Sequence, residues 1–252
     1  MKTKRIDVYL LPALMGEADL TQGVAVVIDV LRATTTIVHA VANGADYVMP
    51  QLTIEEAREQ KTQQPTALLG GERGGQKIEG FDLGNSPAEY PAQRVKGRPI
   101  IFTTTNGTKA MQACKTARDI FIAAFVNLTA LCNELAEHEH IHVVCAGTEG
   151  EITREDVLLA GAIVDHLSLG RLDSIELNDQ AQIAADAWRE AKTGLTMSTL
   201  AERLKRSRGG RNVLRIGLEA DIEIAATLDK FDVVPHLDTA SWKIRDPRNR
   251  TP

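Results

Sequence analysis

The sequence predicts an α/β protein with three layers, in which helices cover both faces of a largely parallel or mixed sheet. Short β-branched apolar runs alternate with segments of helical period through the first two thirds of the chain. After Leu172 the helical period dominates, which predicts a mostly helical C-terminal third. We expect a single domain over residues 1–252, with two packed lobes and a boundary near residue 172 as the alternative.

Each predicted element follows from a local pattern. Runs of β-branched and apolar residues predict strands over Ile6–Leu10, Val24–Ile28, Tyr47–Met49, Ala67–Leu69, Pro99–Thr103, Ile120–Ala123, Ile141–Cys145 and Val233–His236. Apolar residues at a helical period predict helices over Thr35–Ala42, Thr53–Gln60, Thr108–Cys114, Leu128–Glu137, Arg154–Leu167, Gln180–Lys192, Ser198–Lys205 and Leu218–Leu228.

The chain also contains a weak internal repeat. When Asp46 is aligned with Asp119, Val27-Ile28 lies over Ile100-Ile101 and Thr35 lies over Thr108. Both segments then read strand, Thr-rich turn, helix and Asp-led strand. The pattern suggests a duplication, and the alternative is the general similarity of any two βαβ units.

Composition excludes several classes of protein. A formal charge of −5 and only 4% aromatic residues provide neither a basic face nor stacking platforms for nucleic acid. The three cysteines form no CxxC pair, which fits a reducing compartment. No apolar stretch is long enough for a membrane helix, and the N-terminus lacks the features of a secretory leader. We therefore expect a cytoplasmic protein that acts on small molecules and leave its oligomeric state open, a homo-oligomer included.

Polar turns of small residues follow three predicted strands, at Asp29–Thr36, Thr103–Thr108 and Cys145–Gly150. In such a sheet, ligands bind beyond the carboxyl ends of the strands, where backbone N–H groups and helix dipoles favour anions. Asp29 directly after a strand is suited to a hard cation, and Arg32 is suited to a phosphate or carboxylate. Ordinary helix capping is the alternative for any one of these turns.

The connection Gly70–Pro87 is rich in glycine and long for a compact domain, so we expect a functional loop. Glu72 and Asp82 are its candidate metal ligands, and Arg73 and Lys77 are its candidate anion partners. A mobile, solvated loop is the alternative.

Four further features carry candidate chemistry. Arg208–Asn212 is either a loop that closes over an anion or a plain helix–helix turn. Cys145 is a candidate nucleophile or a small buried thiol. Glu155-Asp156, at a predicted helix start, is a capping pair or a catalytic pair. The run His138–His142 has the spacing of a zinc site, but we expect it to face solvent as the polar lead-in to a strand.

Together these segments resemble the 2-phosphosulfolactate phosphatase family over nearly the whole chain. The matching blocks, in order, are IDVLRATTTI from Ile28, GGERGGQKIEGFDLGNSPAE from Gly70, TTTNGTKA from Thr103, FVN from Phe125, CAGTEG from Cys145, Glu155-Asp156, Ala160-Gly161, Asp221 and Val234-Pro235.

The resemblance implies an α/β/α fold and a Mg²⁺-dependent phosphatase. The implied reaction converts (2R)-2-phospho-3-sulfolactate to 3-sulfolactate and phosphate, a step of coenzyme M biosynthesis. Another phosphorylated 2-hydroxy acid is the alternative substrate, and a non-catalytic anion-binding module is the alternative class.

With this activity we expect a water nucleophile positioned by Mg²⁺, which is held by some of Asp29, Glu72 and Asp82. Glu155 or Asp156 is the expected general acid or base, and a covalent route through Cys145 is the second choice. The expected substrate-binding residues are Arg32, Arg73, Lys77, Asn85, Ser86, Thr105, Asn106, Gly107, Gly147, Thr148 and Arg211.

Overall fold

A mixed sheet forms the middle layer of the computed structural model, which describes residues 4–169 and 175–248. The proposed boundary near residue 172 lies outside the described residues. The eleven strands of this described part are β1 (Lys4–Tyr9), β2 (Val24–Ile28), β3 (Tyr47–Gln51), β4 (Leu68–Arg73), β5 (Gln76–Lys77), β6 (Pro99–Thr103), β7 (Asp119–Ala123), β8 (His140–Cys145), β9 (Ile175–Leu177), β10 (His236–Asp238) and β11 (Lys243–Arg245).

Two parallel groups of strands make up most of the sheet, whose order is β5-β4-β6-β3-β11-β10-β7-β2-β8-β1-β9. One group is β9-β1-β8-β2-β7, and the other is β3-β6-β4. The hairpin of β10 and β11 lies between them and pairs antiparallel with β7 and with β3. The sheet is therefore mixed, as predicted.

Helices cover both faces of the sheet. Their bounds are α1 (Ala33–Ala42), α2 (Ile54–Gln63), α3 (Ala92–Val95), α4 (Gly107–Ala113), α5 (Leu128–Leu135), α6 (Arg154–Ser168), α7 (Asp179–Lys192), α8 (Met197–Lys205), α9 (Arg208–Arg215) and α10 (Glu219–Ala225). On one face α5 to α10 bury their apolar residues against β1, β2 and β8, and on the other face α1 and α4 pack against β2, β6 and β7. The predicted three-layer α/β/α arrangement is confirmed.

Close helix packing depends on one glycine. A Cβ at Gly161 of α6 would lie only 2.0 Å from the carbonyl oxygen of Ala184 in α7. Only glycine lets the two helix backbones approach this closely, so any larger residue would force α7 away from the sheet.

Three sequence predictions need correction. The strand predicted over Val233–His236 begins at His236 and pairs with a second strand that was not predicted. The connection Gly70–Pro87 is not one continuous loop, because β4 continues to Arg73 and turns back through β5. Arg208–Asn212 is the start of helix α9, with the Ser207 hydroxyl accepting the Gly210 N–H at 3.0 Å. The internal duplication is not confirmed and stays a prediction.

No helix among the described residues is both long and apolar enough to cross a membrane.

Candidate active site

A polar cavity of about 430 Å³ opens where β2, β6 and β8 end and β4 turns into β5. This is the position predicted for a ligand in a largely parallel sheet. Eight of the residues expected from the sequence line the cavity: Asp29, Arg32, Glu72, Asn85, Thr105, Asn106, Thr148 and Arg211.

Asp29 is the cavity carboxyl that follows β2. It is buried, and its Oδ1 accepts the N–H of Ala33 at 3.2 Å, which orients the side chain at the start of α1. Burial raises the pKa of Asp29 to about 7, and repulsion from Glu72 and Glu155 adds to the increase. A Cβ at Gly107 would lie 2.8 Å from Asp29 Oδ2, so glycine is needed for α4 to begin this close to the carboxylate.

Glu72 is a buried carboxyl that is anchored by backbone N–H groups from two segments. Its Oε1 accepts the N–H of Thr105 and its Oε2 accepts that of Gly75, both at 2.7 Å. These bonds join the end of β4 to the turn after β6 and hold the Glu72 carboxyl in place.

Two further oxygen atoms at the cavity are buried and unpaired. Asn85 Oδ1 and Thr105 Oγ1 have no hydrogen-bond partner within residues 4–169 and 175–248. Buried polar atoms are nearly always paired, so an unpaired carbonyl and hydroxyl beside two buried carboxylates indicate a missing ligand. Carboxylate and amide oxygens are the ligands that Mg²⁺ prefers, so these residues fit the cation implied by the resemblance.

Arg32 is buried at the cavity and held by its own partners. Its Nη1 contacts Asp221 Oδ2 at 2.8 Å, and its Nη2 donates to the carbonyl of Gly75 at 2.6 Å. The Ser86 hydroxyl donates to the other Asp221 oxygen at 2.6 Å. Ser86 was expected to bind substrate, but it does not line the cavity. Its hydroxyl instead holds Asp221, which in turn holds Arg32.

Helix α9 contributes an arginine-rich wall to the cavity. The sequence predicted only one of its three arginines as a substrate-binding residue. Arg208 and Arg215 line the cavity together with the expected Arg211. These residues recur at helical spacing, so they share one face of α9, and that spacing was the signal available in the sequence. Arg208 also contacts Glu149 Oε2 at 2.7 Å, and both residues line the cavity.

Glu155 and Asp156 are buried behind the cavity rather than in its lining. Asp156 accepts the N–H of Val30 at 2.9 Å and that of Gly147 at 3.0 Å, so it joins the turns that follow β2 and β8. Burial raises the pKa of Asp156 well above its ordinary value, and burial also raises the pKa of Glu155.

The glycines around the cavity allow neighbouring protein groups to pack closely. A Cβ at Gly209 would lie 1.9 Å from Glu155 Oε1, so the Glu155 carboxyl lies directly against the first turn of α9. Gly147 has a φ of +64°, and a Cβ there would lie 2.5 Å from the carbonyl oxygen of Glu151. Gly107 and Gly147, expected in the anion site, therefore lie behind the lining and shape it.

Three charged residues of the Gly70–Pro87 connection lie away from the cavity lining. Asp82 is exposed, and its Oδ2 accepts the N–H of Leu69 at 2.8 Å. Arg73 donates to two backbone carbonyls and to Thr103 Oγ1. Lys77 is exposed on β5. The geometry does not bring Asp82 to the other candidate metal ligands, and it gives Arg73 and Lys77 no place in the lining.

The expected second-choice nucleophile, Cys145, is part of the apolar core. It is fully buried, and burial raises the pKa of its thiol well above the ordinary value. A reactive cysteine needs an accessible thiolate. The structure therefore favours the alternative interpretation of Cys145 as a small buried thiol.

The family model for 2-phosphosulpholactate phosphatase matches residues 9–240. The chain is also 45% identical over 213 residues to a probable 2-phosphosulfolactate phosphatase of Thermotoga maritima, covering 84% of this chain and 88% of the relative. A protein of the same name from Symbiobacterium thermophilum is 43% identical over 220 residues, or 86% of this chain and 92% of the relative. A third, from Carboxydothermus hydrogenoformans, is 38% identical over 97% of this chain and 98% of the relative.

These matches define an enzyme of the phosphoric monoester hydrolase class. The chain belongs to the 2-phosphosulpholactate phosphatase family.

Proposed function

We propose that this enzyme hydrolyses (2R)-2-phospho-3-sulfolactate to 3-sulfolactate and phosphate, with Mg²⁺, in the cytoplasm, as a step of coenzyme M biosynthesis. The observation that carries the proposal is the cavity itself, in which two buried carboxylates face a wall of arginines. Carboxylates beside an anion site oppose anion binding unless a cation lies between them. The arrangement therefore favours a metal-assisted phosphatase over a module that only binds anions.

Asp29 and Glu72 are the residues that would hold Mg²⁺, with Asn85 Oδ1 as a neutral oxygen ligand. When bound, this cation supplies positive charge for the phosphate oxygens and lowers the pKa of a coordinated water. Asp82 lies outside the cavity lining and is not assigned to the metal.

Different arginines of the chain are assigned to different anionic groups of the substrate. Arg32 is buried and fixed by Asp221, so it is suited to orient the phosphate and to stabilise its charge during transfer to water. Arg208, Arg211 and Arg215 lie on α9 and are suited to the carboxylate and sulfonate. Because these three arginines share one face of α9 and line the cavity, we assign substrate choice to them.

Glu155 and Asp156 act as positioning residues in this proposal. Asp156 fixes the turns after β2 and β8, and Glu155 lies against Gly209 at the start of α9. Neither carboxyl lines the cavity, so neither is assigned a proton transfer to substrate. The nucleophile is water, because the Cys145 thiol is inaccessible. The proton that this water loses balances the proton gained by the departing hydroxyl.

Substrate choice tests the proposal. We would measure kcat/KM for 2-phosphosulfolactate, phospholactate and a plain alkyl phosphate at fixed Mg²⁺ and ionic strength. Loss of one charged contact costs about 1.5–3 kcal/mol, so each missing anion should lower kcat/KM by roughly ten- to a hundredfold. Preference for phospholactate would point instead to another phosphorylated 2-hydroxy acid, and equal values would refute the assignment of the arginines.

A pair of variants localises this effect. Arg211→Ala should reduce kcat/KM for 2-phosphosulfolactate and leave the alkyl phosphate nearly unchanged, because Arg211 lines the cavity. Lys77→Ala removes a cation that is exposed and outside the lining, so it serves as the matched control. A similar loss in both variants would mean that only the general electrostatic field matters.

A further inference from the structure

The histidines around the start of β8 form a cluster that the phosphatase site does not use. They were expected to share one solvent-facing surface. His142 is instead buried, with 1% of its surface exposed, and its ring lies 4.0 Å from that of His140 between centroids. His138 turns away and packs near Phe121, with 5.6 Å between ring centroids.

A buried carboxylate completes the cluster from the neighbouring strand. Asp7 of β1 pairs in register with His142 of β8, and its Oδ2 lies 2.8 Å from His140 Nε2. One ligand atom from each of Asp7, His140 and His142 lies within 4.8 Å of the others. We propose that these three residues form a metal site, distinct from the phosphatase cavity, for a transition-metal ion of the Zn²⁺ class.

The donor set determines the class of ion. Two imidazoles and one carboxylate suit Zn²⁺ and similar first-row ions, whereas Mg²⁺ and Ca²⁺ prefer oxygen ligands alone. Bonds of 2.0–2.2 Å place tetrahedral ligands about 3.4 Å apart. Modest rotations of the side chains would bring the three ligand atoms to that spacing, and a fourth position would remain for water or another ligand.

The surroundings of His142 fit a ligand role. Its Nε2 has no hydrogen-bond partner among the residues described, although the ring is buried. Tyr9 places its hydroxyl 3.3 Å from Nδ1, the kind of outer contact that orients metal-bound histidines. Gly23 covers the ring without a side chain, because a Cβ there would lie 2.9 Å from Nε2.

Arg5 is the cation that this carboxylate now contacts. Its Nε donates to Asp7 Oδ2 at 2.8 Å and its Nη2 to Oδ1 at 3.3 Å. The Arg5 side chain is 53% exposed. Arg5 can therefore move from Oδ2 into solvent when a metal ion replaces it as the positive charge beside the buried Asp7 carboxylate. His140 is 24% exposed and provides the path by which an ion enters.

The cluster is separate from the phosphatase cavity. His142 pairs in register with Ala25 of β2, and Asp29 lies four residues further along that strand direction. At about 3.3 Å per residue, the two sites are about 13 Å apart along the strands. A metal ion bound here would link β1 to β8. Because it binds only the folded chain, it would stabilise that chain by mass action.

The test uses the full-length protein after removal of metals with a chelator. One equivalent of Zn²⁺ should shift the imidazole NMR signals of His140 and His142 and leave that of His236 unchanged. The same shifts should occur in Asp29→Asn, which keeps the result independent of the proposed phosphatase metal. Saturation with Zn²⁺ without movement of the His140 and His142 signals would overturn the proposal, whether or not the phosphatase assignment holds.

Affinity measurements on variants provide a second readout. Changing one ligand should weaken Zn²⁺ binding by at least about a hundredfold, so we expect this loss in His140→Gln and in His142→Gln. His236→Gln is the matched control, because His236 Nε2 also contacts a carboxylate, Asp119, at 2.9 Å but lies outside the cluster. Equal affinity in the folded ligand variants and the control would also overturn the proposal. If His142→Gln fails to fold, the wild-type NMR shifts decide.

Discussion

Replacing Asp221 by asparagine tests how strongly the buried ion pair holds Arg32 at the cavity. The two side chains are only 4% and 2% exposed, and their closest atoms are 2.8 Å apart. Asparagine preserves the size of the side chain and an oxygen for Ser86, but it removes the charge that balances the buried guanidinium. Leaving one member of a buried pair uncompensated typically costs about 3–5 kcal/mol.

In a chain of this size, each kcal/mol lowers the melting temperature by about 2–4 °C, so Asp221→Asn should melt about 6–20 °C below wild type. The matched control is Asp232→Asn, because Asp232 is 90% exposed in its contact with Arg248. That exposed pair contributes at most about 1 kcal/mol. Denaturant unfolding of both variants measures the difference, and equal small effects would refute the assignment of Arg32 and Asp221 as a structural pair of the site.

Three further predictions concern other residues. Cys145→Ser should keep most phosphatase activity, and a folded but inactive variant would restore the covalent route. Burial lowers the pKa of His39 to about 4, so the unfolded chain takes up the proton first and about 3 kcal/mol of stability should be lost as the pH falls from about 6.5 toward 4. In His39→Leu the total loss over this pH range should be smaller by about that amount, because burial also lowers the pKa of His142 to about 4 and that contribution remains; an unchanged pH profile would contradict the assignment. In Gly107→Ala, a Cβ 2.8 Å from Asp29 Oδ2 should displace the carboxylate and lower kcat by at least about tenfold with the fold intact; wild-type kcat would show that α4 shifts freely.

Local patterns predicted the elements of the sheet well. Strands such as β2 and β6 have the predicted bounds, because β-branched runs between polar turns determine their ends. The β10–β11 hairpin was harder to predict. Its strands are short and gain their stability from β7 and β3, which are distant in sequence. Helix α9 was predicted as a loop or turn because two glycines open it, although the buried Glu155 carboxyl requires one of them there.

The site was predictable where a residue follows a strand directly. Asp29, Thr105 and Thr148 lie in the cavity because each belongs to a turn that ends a central strand. For residues within the Gly70–Pro87 connection, the sequence could not predict which side chains line the cavity. Glu72 points into the cavity while Asp82 bonds to β4, and this difference depends on the path of the β4–β5 hairpin.

Phosphatase activity should depend on a hard cation held by Asp29 and Glu72. The direct measurement is the initial rate of phosphate release from 2-phosphosulfolactate by wild type and Asp29→Asn, after chelation and again with added Mg²⁺. We predict that chelation abolishes wild-type release, that Mg²⁺ restores it, and that Asp29→Asn stays at least about tenfold slower at saturating Mg²⁺. Full activity of the chelated wild type, or wild-type turnover by Asp29→Asn, would contradict the assignment.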